Sequence, residues 1–395
     1  MNVLHITNKP IFPILDGGQM AMNRLMTCFL NLGFNVKNLT LETNKHPFDI
    51  NEFPKDLQEI ILPEAHYIDS RVKSWDVFKS LFKKESYHVK RFIDKSFEEK
   101  LKDLLKTNHF NIVVLESAFL MSYIDVIRRY SDAKIILRAH NVEYRIWRQH
   151  AKKEKTFLKR YFYKKLANDL KRFELEKINQ VDGVFCISEN DKEFFRRKSV
   201  KVATTVIPVY MSVAEQNVID YKNNDFHFVG SMSWKPNADA VKWIINQIAP
   251  GLAKVMPDVK IHIAGSSMSK KLLNQKIKNV IIHGKIANMQ EFMSKHGTLI
   301  VPLKSGSGVR IKILEALSFG VPIISSEKGK EGIELIPKKH FLAANSTEEF
   351  LLKMKFLHDR KETKENLGLE GKLFIENEYS LEIISKRIRE FISNI

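Results

Sequence analysis

The chain reads as an α/β protein built on two doubly wound parallel sheets, and three observations predict that class. Short apolar, β-branched runs alternate with longer amphipathic stretches, which is the pattern of βαβ units. The 395 residues exceed what one compact core usually supports, so two domains are expected. A polar stretch without strong periodicity, 208–224, separates two halves of similar pattern. The expected division is 1–207, a linker over 208–224, a second domain over 225–378, and a last helix over 379–395 that returns toward the first domain.

The first half justifies that reading in order. Asn2–Thr7 is strand-like, and Gln19–Leu32 places apolar residues at helical spacing before stopping at Gly33, a usual helix terminator. Val36–Leu41, Glu59–Leu62, Asn111–Leu115, Ala133–Leu137 and Gly183–Ile187 are further expected strands. The second half repeats the scheme with Phe226–Val229, Val259–Ile263, Val280–His283, Leu299–Val301 and Pro322–Ile324, and three helical patterns follow Phe341–Ala343.

Lys and Arg number 64 against 46 Asp and Glu, a net charge of +18. That excess favours an anionic partner: nucleic acid, an acidic membrane surface or a phosphorylated substrate. No recognised nucleic-acid motif accompanies the charge, so nucleic acid is not expected. Two cysteines, Cys28 and Cys186, sit in apolar segments, which suits a reducing compartment without disulfides. The amino-terminal segment lacks a basic region followed by a long apolar core, and no apolar run approaches a membrane span. A cytoplasmic protein is expected.

Small and polar residues gather at strand carboxyl ends, where open α/β sheets bind ligands. Asp16-Gly17-Gly18, Arg138-Ala-His140-Asn141, Gly230 to Lys235, Gly265-Ser-Ser267, Gly284-Lys285 and Ser305 to Arg310 all fall there. The last opens SGSGVRIKILEALSFG, residues 305–320: a strand, a glycine turn, then a helix. Backbone N–H groups and the positive end of the dipole converge at such a helix start, making an anion site. Glu315, one and a half turns into the helix, suits sugar hydroxyls, so a nucleotide or nucleotide-sugar is the expected ligand.

DGG at 16–18, HNVE at 140–143, FVGSMSWKPNADAVKW at 228–243 and GSGVRIKILEALSFGVPIISS at 306–326, in that order and spacing, resemble the retaining glycosyltransferases of family 4 (group 1). The resemblance spans nearly the whole chain. It implies the GT-B architecture, two Rossmann-like domains facing a central cleft. It also implies transfer of a sugar from a nucleotide-sugar to a glycolipid or cell-surface polysaccharide, with retention of configuration and no separate cofactor. Residue by residue, it makes Glu315 the partner of the ribose hydroxyls and His140 the contact to the donor sugar near the reaction centre. Gly17 and Gly18 become the loop that approaches the sugar and diphosphate. The family's first motif glutamate falls at Ser307, and its arginine after the glycine matching Gly230 falls at Ser231. The backbone N–H groups of Gly308 and Val309, together with Lys235 and Arg310, are then the candidates to hold the diphosphate. Gly265, Gly284 and Lys285 are candidates for the nucleobase region.

Plainer readings stand beside these. Glu315 could serve an i,i+4 surface pair, Arg310 a helix start, Lys235 a solvated loop, and His140 a structural hydrogen bond. Glu143 reads as a first-turn residue favoured by the helix dipole. No Asp-x-Asp occurs and no His or Cys group has metal-ligand spacing, so no metal is expected. Two basic, aromatic stretches, 79–95 and 145–172, suit an anionic membrane surface, or else a solvated helix face. Two other functions remain open: a non-catalytic nucleotide-sugar-binding subunit, motivated by Ser307 and Ser231, and a nucleotide-sugar epimerase on the same architecture.

Overall fold

A computed structural model of the chain describes residues 1–71, 86–198, 200–214, 219–306 and 308–395. Ser307 and residues 79–85 of the first basic stretch lie outside them. The described residues form two compact units, Met1–Tyr210 with Ile384–Ile395, and Met211–Ile383.

In the first unit β1 (Asn2–Thr7), β2 (Asn35–Glu42), β3 (Glu64–Tyr67), β4 (Ile112–Leu115), β5 (Lys134–Ala139), β6 (Gly183–Cys186) and β7 (Ala203–Val206) make one parallel sheet in the order 3-2-1-4-5-6-7. Its strands are buried along nearly their full length at the centre: all four residues of β4 are inaccessible, as expected for a sheet covered on both faces. Leu4, Ile6, Leu39, Val113, Leu115, Ile135 and Val184 join Phe97, Leu101 and Leu170 from covering helices in one core. The order reverses between β1 and β4, the topological switch point at whose carboxyl ends ligands collect. Residues 384–395 complete this unit. Phe391 packs on Phe185, and a side chain at Gly183 would meet the Phe391 ring at 2.6 Å, so Gly183 is what lets this last helix lie down.

The second unit repeats the plan. Strands β8 (Phe226–Val229), β9 (Ile261–Ala264), β10 (Val280–Gly284), β11 (Thr298–Val301), β12 (Ile323–Ser325) and β13 (Leu342–Ala343) pair in parallel in the order 10-9-8-11-12-13. The switch point lies between β8 and β11. Residues 219–224, read from sequence as linker, are tied to this unit. The Tyr221 hydroxyl donates to the Gly320 carbonyl at 2.9 Å, and Lys364 donates to Asn223 O at 2.9 Å.

One expected strand is a helix. Glu59–Leu62 falls in the helix Lys55–Ile61, which begins after Pro54, carries Asp56 in its first turn and is closed by Leu62 in the left-handed region. A four-residue apolar run has no period long enough to separate strand from helix; the local start and stop residues decided the matter. The strand that follows, β3, is short and half-exposed, and β7 was not legible either.

The carboxyl edge of the second sheet is a backbone-on-backbone contact. Gly230 N–H donates to Ala264 O at 3.0 Å and Gly265 N–H to Gly284 O at 2.7 Å. Gly265 has φ +151°, and a Cβ there would lie 1.9 Å from the Gly230 carbonyl oxygen. Gly265→Ala should therefore cost at least ~3 kcal/mol, strain and backbone clash together. Urea unfolding that followed the second unit would show the lower midpoint, and an unchanged midpoint would contradict this packing.

Candidate functional site

The second unit's candidate residues lie on the two segments that leave the switch point. After β8 residues 230–234 lead into the helix Lys235–Trp243; after β11 residues 304–306 and 308–310 precede the helix Ile311–Phe319. Neither helix has an acidic residue in its first turn or a side chain capping its N-terminus. Both instead start with cations, Lys235 in one and Arg310 and Lys312 in the other. Cations at a helix N-terminus each cost roughly 0.3–1 kcal/mol unless an anion is present. Two such starts, side by side at one switch point, are the arrangement of an anion site.

The three cations differ in setting. Lys235 is largely exposed and pairs with Asp239 at 3.3 Å, one turn on. Arg310 is buried. Its Nη1 donates to the Gly308 carbonyl, Nη2 reaches Lys328 O at 3.5 Å, and its guanidinium lies 5.0 Å from the Trp234 ring centroid with Glu331 4.0 Å away. Burial lowers it to about 10, which still leaves it charged. Arg310 thus fixes the glycine turn from beneath. Gly306, at φ +116°, has no room for a side chain because a Cβ would sit 2.7 Å from Trp234.

Lys312 was not singled out from sequence. Its Nζ donates to Asn237 Oδ1 at 2.8 Å and sits 4.2 Å from the Phe228 ring centroid, so it joins both segments at the end of β8. Burial, reinforced by Arg310, pulls its pKa down to about 7, with Glu315 acting the other way. A side chain at Gly230 would meet Asn237 at 2.5 Å and Lys312 Nζ at 2.7 Å. The signal was present: Lys312 and Glu315 are three apart on one helix, hence on one face. Glu315 itself is half-buried. Gly265 and Gly284 continue the same sheet edge, and Lys285 follows them, exposed.

In the first unit Gly17 and Gly18 are the first residues of the helix Gly17–Asn31 rather than a loop, with Asp16 as N-cap accepting from Gln19 N–H and paired to Lys9. His140 follows β5. Its Nε2 lies 2.6 Å from Glu116 Oε2, while Glu116 Oε1 lies 2.7 Å from His5 Nε2. Glu116, just after β4, is a further residue that sequence reasoning missed. Burial alone would raise its pKa, but hydrogen bonds from His140 and His5 outweigh that and hold it well below the carboxylate range. An ionised carboxylate only accepts, so each histidine donates through Nε2. Glu116 therefore fixes the His140 ring through Nε2. Arg138, fully buried in β5, supplies a nearby positive charge to Glu116.

Glu143 opens the helix Glu143–Lys153, as a first-turn residue should. Glu174, from the helix Phe157–Lys177, accepts from Glu143 N–H at 3.2 Å and Tyr144 N–H at 3.3 Å. Desolvation exceeds the dipole's help. Burial lifts Glu143 to about 7, and burial together with the Glu143 charge lifts Glu174 to about 8.

Residues 223–359 match the family model of the glycosyl transferases group 1. The chain carries a group 1 glycosyl transferase domain. An uncharacterized 44.6 kDa protein in the cps region of Klebsiella pneumoniae is 24% identical over 337 residues, 81% of each chain. The fold is that of sucrose-phosphate synthase from Thermosynechococcus elongatus (TM-score 0.72, 13% identity, 100% and 99% of the two chains). It is also that of Anabaena HepE in complex with UDP (0.67, 11%, all of both chains). The match over 223–359 supports a glycosyltransferase, and the structural matches give the GT-B fold, with Rossmann-like sheets in both units.

The glutamate pair predicts a pH response. A carboxyl raised by folding contributes stability that is full below its unfolded pKa, near 4.5, and is lost as pH rises through 7 to 8. Glu143→Gln removes one ionisation and the charge that lifts Glu174. The variant should match the native protein at pH 5 and melt higher at pH 8.5; an offset independent of pH would contradict the assignment.

Proposed function

We propose that the protein transfers a sugar, with retention of configuration, from a nucleoside-diphosphate donor to a growing cell-surface polysaccharide or its lipid-linked precursor. The observation that carries the donor half is Lys312, a desolvated ammonium at the switch point where two helices begin with cations and no acid. A nucleoside diphosphate would supply the missing anion. Its diphosphate would lie against Lys312, Arg310 and the N–H groups of Gly308 and Val309, and its ribose hydroxyls against Glu315. The positive charge that helps the diphosphate leave is then already in place, and little reorganisation is needed at the moment of reaction. The UDP in the HepE complex favours a uridine donor, and the cps-region relative favours a polysaccharide acceptor.

His140 completes the reading from the first unit. With Nε2–H committed to Glu116, its Nδ1 accepts a hydroxyl of the transferred sugar. Glu116 is a positioning residue: it acts through the ring it orients.

The test is release of nucleoside diphosphate from a panel of UDP-, GDP-, ADP- and dTDP-sugars with lipid-linked acceptors. Acceptor-dependent turnover with one donor, reduced at least ~100-fold in Glu315→Ala, is expected. Absence of turnover and of donor binding by calorimetry across the panel would overturn the proposal. Lys312 adds a pH signature. Its free ammonium titrates near 7, so UDP affinity should fall as pH rises from 6.5 to 8.5, and Lys312→Met should bind ~100-fold more weakly with a flat profile. Equal pH slopes in both proteins would exclude the role.

A membrane-facing role has support of its own. The first turns of the helix Phe157–Lys177 expose Phe157 and Leu158 at 76% and Tyr161 at 62%, among exposed Lys155, Lys159, Arg160 and Lys164. Farther along, Leu166, Ala167 and Leu170 are buried in the unit. Apolar side chains ringed by cations suit the interface of an anionic bilayer, where each basic residue adds about 1 kcal/mol. Among the described residues no helix is long and apolar enough to cross a membrane. Changing Phe157, Leu158 and Tyr161 together to Ser should lower co-sedimentation with phosphatidylglycerol vesicles about tenfold. Unchanged sedimentation would remove this surface from the account.

A further inference from the structure

Sequence spacing conceals a histidine cluster that the second sheet assembles. His262 lies in β9, His283 in β10, and His296 between the helix Met289–Lys295 and β11. One ring nitrogen from each falls within 4.8 Å of the others. The rings pack closely, His262 and His296 tilted with centroids 4.1 Å apart, His283 edge-on to His296 at 5.2 Å and stacked on His262 at 5.2 Å. His283 is the extra residue of a β-bulge between Ile282 and Gly284, a device that re-aims a side chain.

The partners of these rings fix their tautomers. His262 Nε2 lies 3.1 Å from Asp225 Oδ2, and His296 Nδ1 lies 2.7 Å from the Phe292 carbonyl oxygen. A carboxylate and a carbonyl only accept, so both nitrogens carry hydrogen. That leaves lone pairs on His262 Nδ1 and His296 Nε2. His283 Nε2 already sits 2.9 Å from His262 Nδ1. Histidines that bind metal show this outer arrangement, the second ring nitrogen donating to a carboxylate or backbone carbonyl.

We infer that His262 Nδ1, His283 Nε2 and His296 Nε2 form a site for a divalent transition metal of the zinc class. Asp225 and the Phe292 carbonyl orient two of its ligands. Three imidazoles suit zinc, with nitrogens about 2.0–2.1 Å from the ion. Ligand nitrogens around a tetrahedral ion at that radius are about 3.3 Å apart. His262 Nδ1 and His283 Nε2 are already 2.9 Å apart, and the group spans no more than 4.8 Å, so the widest pair closes by at most about 1.5 Å. His283 is exposed, which gives solvent access to a fourth position and leaves water as the fourth ligand. Binding would clamp β10 and the helix before β11 onto β9. Asp225 and His296 lie just before the amino ends of β8 and β11, while His283 directly precedes Gly284 near the carboxyl end of β10.

Isothermal titration of the full chain with Zn2+, and with Co2+ followed by visible absorption, tests the site. One ion per chain, tetrahedral Co2+ bands and a zinc-dependent rise in Tm are expected. His283→Ala, at an exposed position, should keep the metal-free Tm and lose all three responses. Should that variant melt early, His296→Gln and Asp225→Asn serve in its place; the second should weaken binding about 10–100-fold. No binding at 100 µM Zn2+, or stoichiometric binding and Tm rise retained in the histidine variants, would overturn the assignment.

Discussion

Holding a half-buried ammonium against Asn237 and Phe228 at the end of β8 is the constraint around which the second unit is arranged. Lys312 has one strong neutral acceptor, Asn237 Oδ1, and an aromatic face, Phe228, where bulk water would offer several acceptors. Those two contacts do not replace hydration, which is why its pKa falls to about 7. The surrounding backbone is shaped to permit the arrangement: Gly230 and Gly306 each stand where a side chain would strike Asn237, Lys312 or Trp234. Arg310, engaged by the Gly308 carbonyl and the Trp234 ring, holds the turn that brings the helix start up to the edge. Such an arrangement is unfavourable without an anion nearby, which is what the proposed donor would supply.

The first unit handles charge at its switch point in the opposite sense. Glu116 is a fully buried carboxylate, satisfied by two histidines and set near Arg138. Removing a partner from such a group leaves an uncompensated charge, so its value lies in fixing the geometry of His140 more than in stability. The carboxyl edge of one sheet thus carries a half-buried lysine beside a buried arginine, and that of the other a histidine held by a buried carboxylate.

The fold was largely legible because its strands are short β-branched runs buried on both faces, which leave continuous apolar signatures. Where that signature shrank, reading failed. Glu59–Leu62 is the end of a helix, and the half-exposed β3 and β7 lack an apolar run. The candidate site was legible where local chemistry carries it: glycines before a helix, cations without acids in a first turn. Glu116 and Asn237 were not, because each acquires its role from a partner distant in sequence, His5 111 residues away and Lys312 75 residues away. The histidine cluster escaped for the same reason. Its members sit on three elements that only the sheet order brings together.

The most direct measurement is a crystal structure of the protein grown with UDP. The account predicts the diphosphate within hydrogen-bonding distance of Lys312 Nζ and of the Gly308 and Val309 N–H groups, with the ribose hydroxyls on Glu315. A diphosphate bound at any other edge, with Lys312 still turned to Asn237 alone, would contradict it.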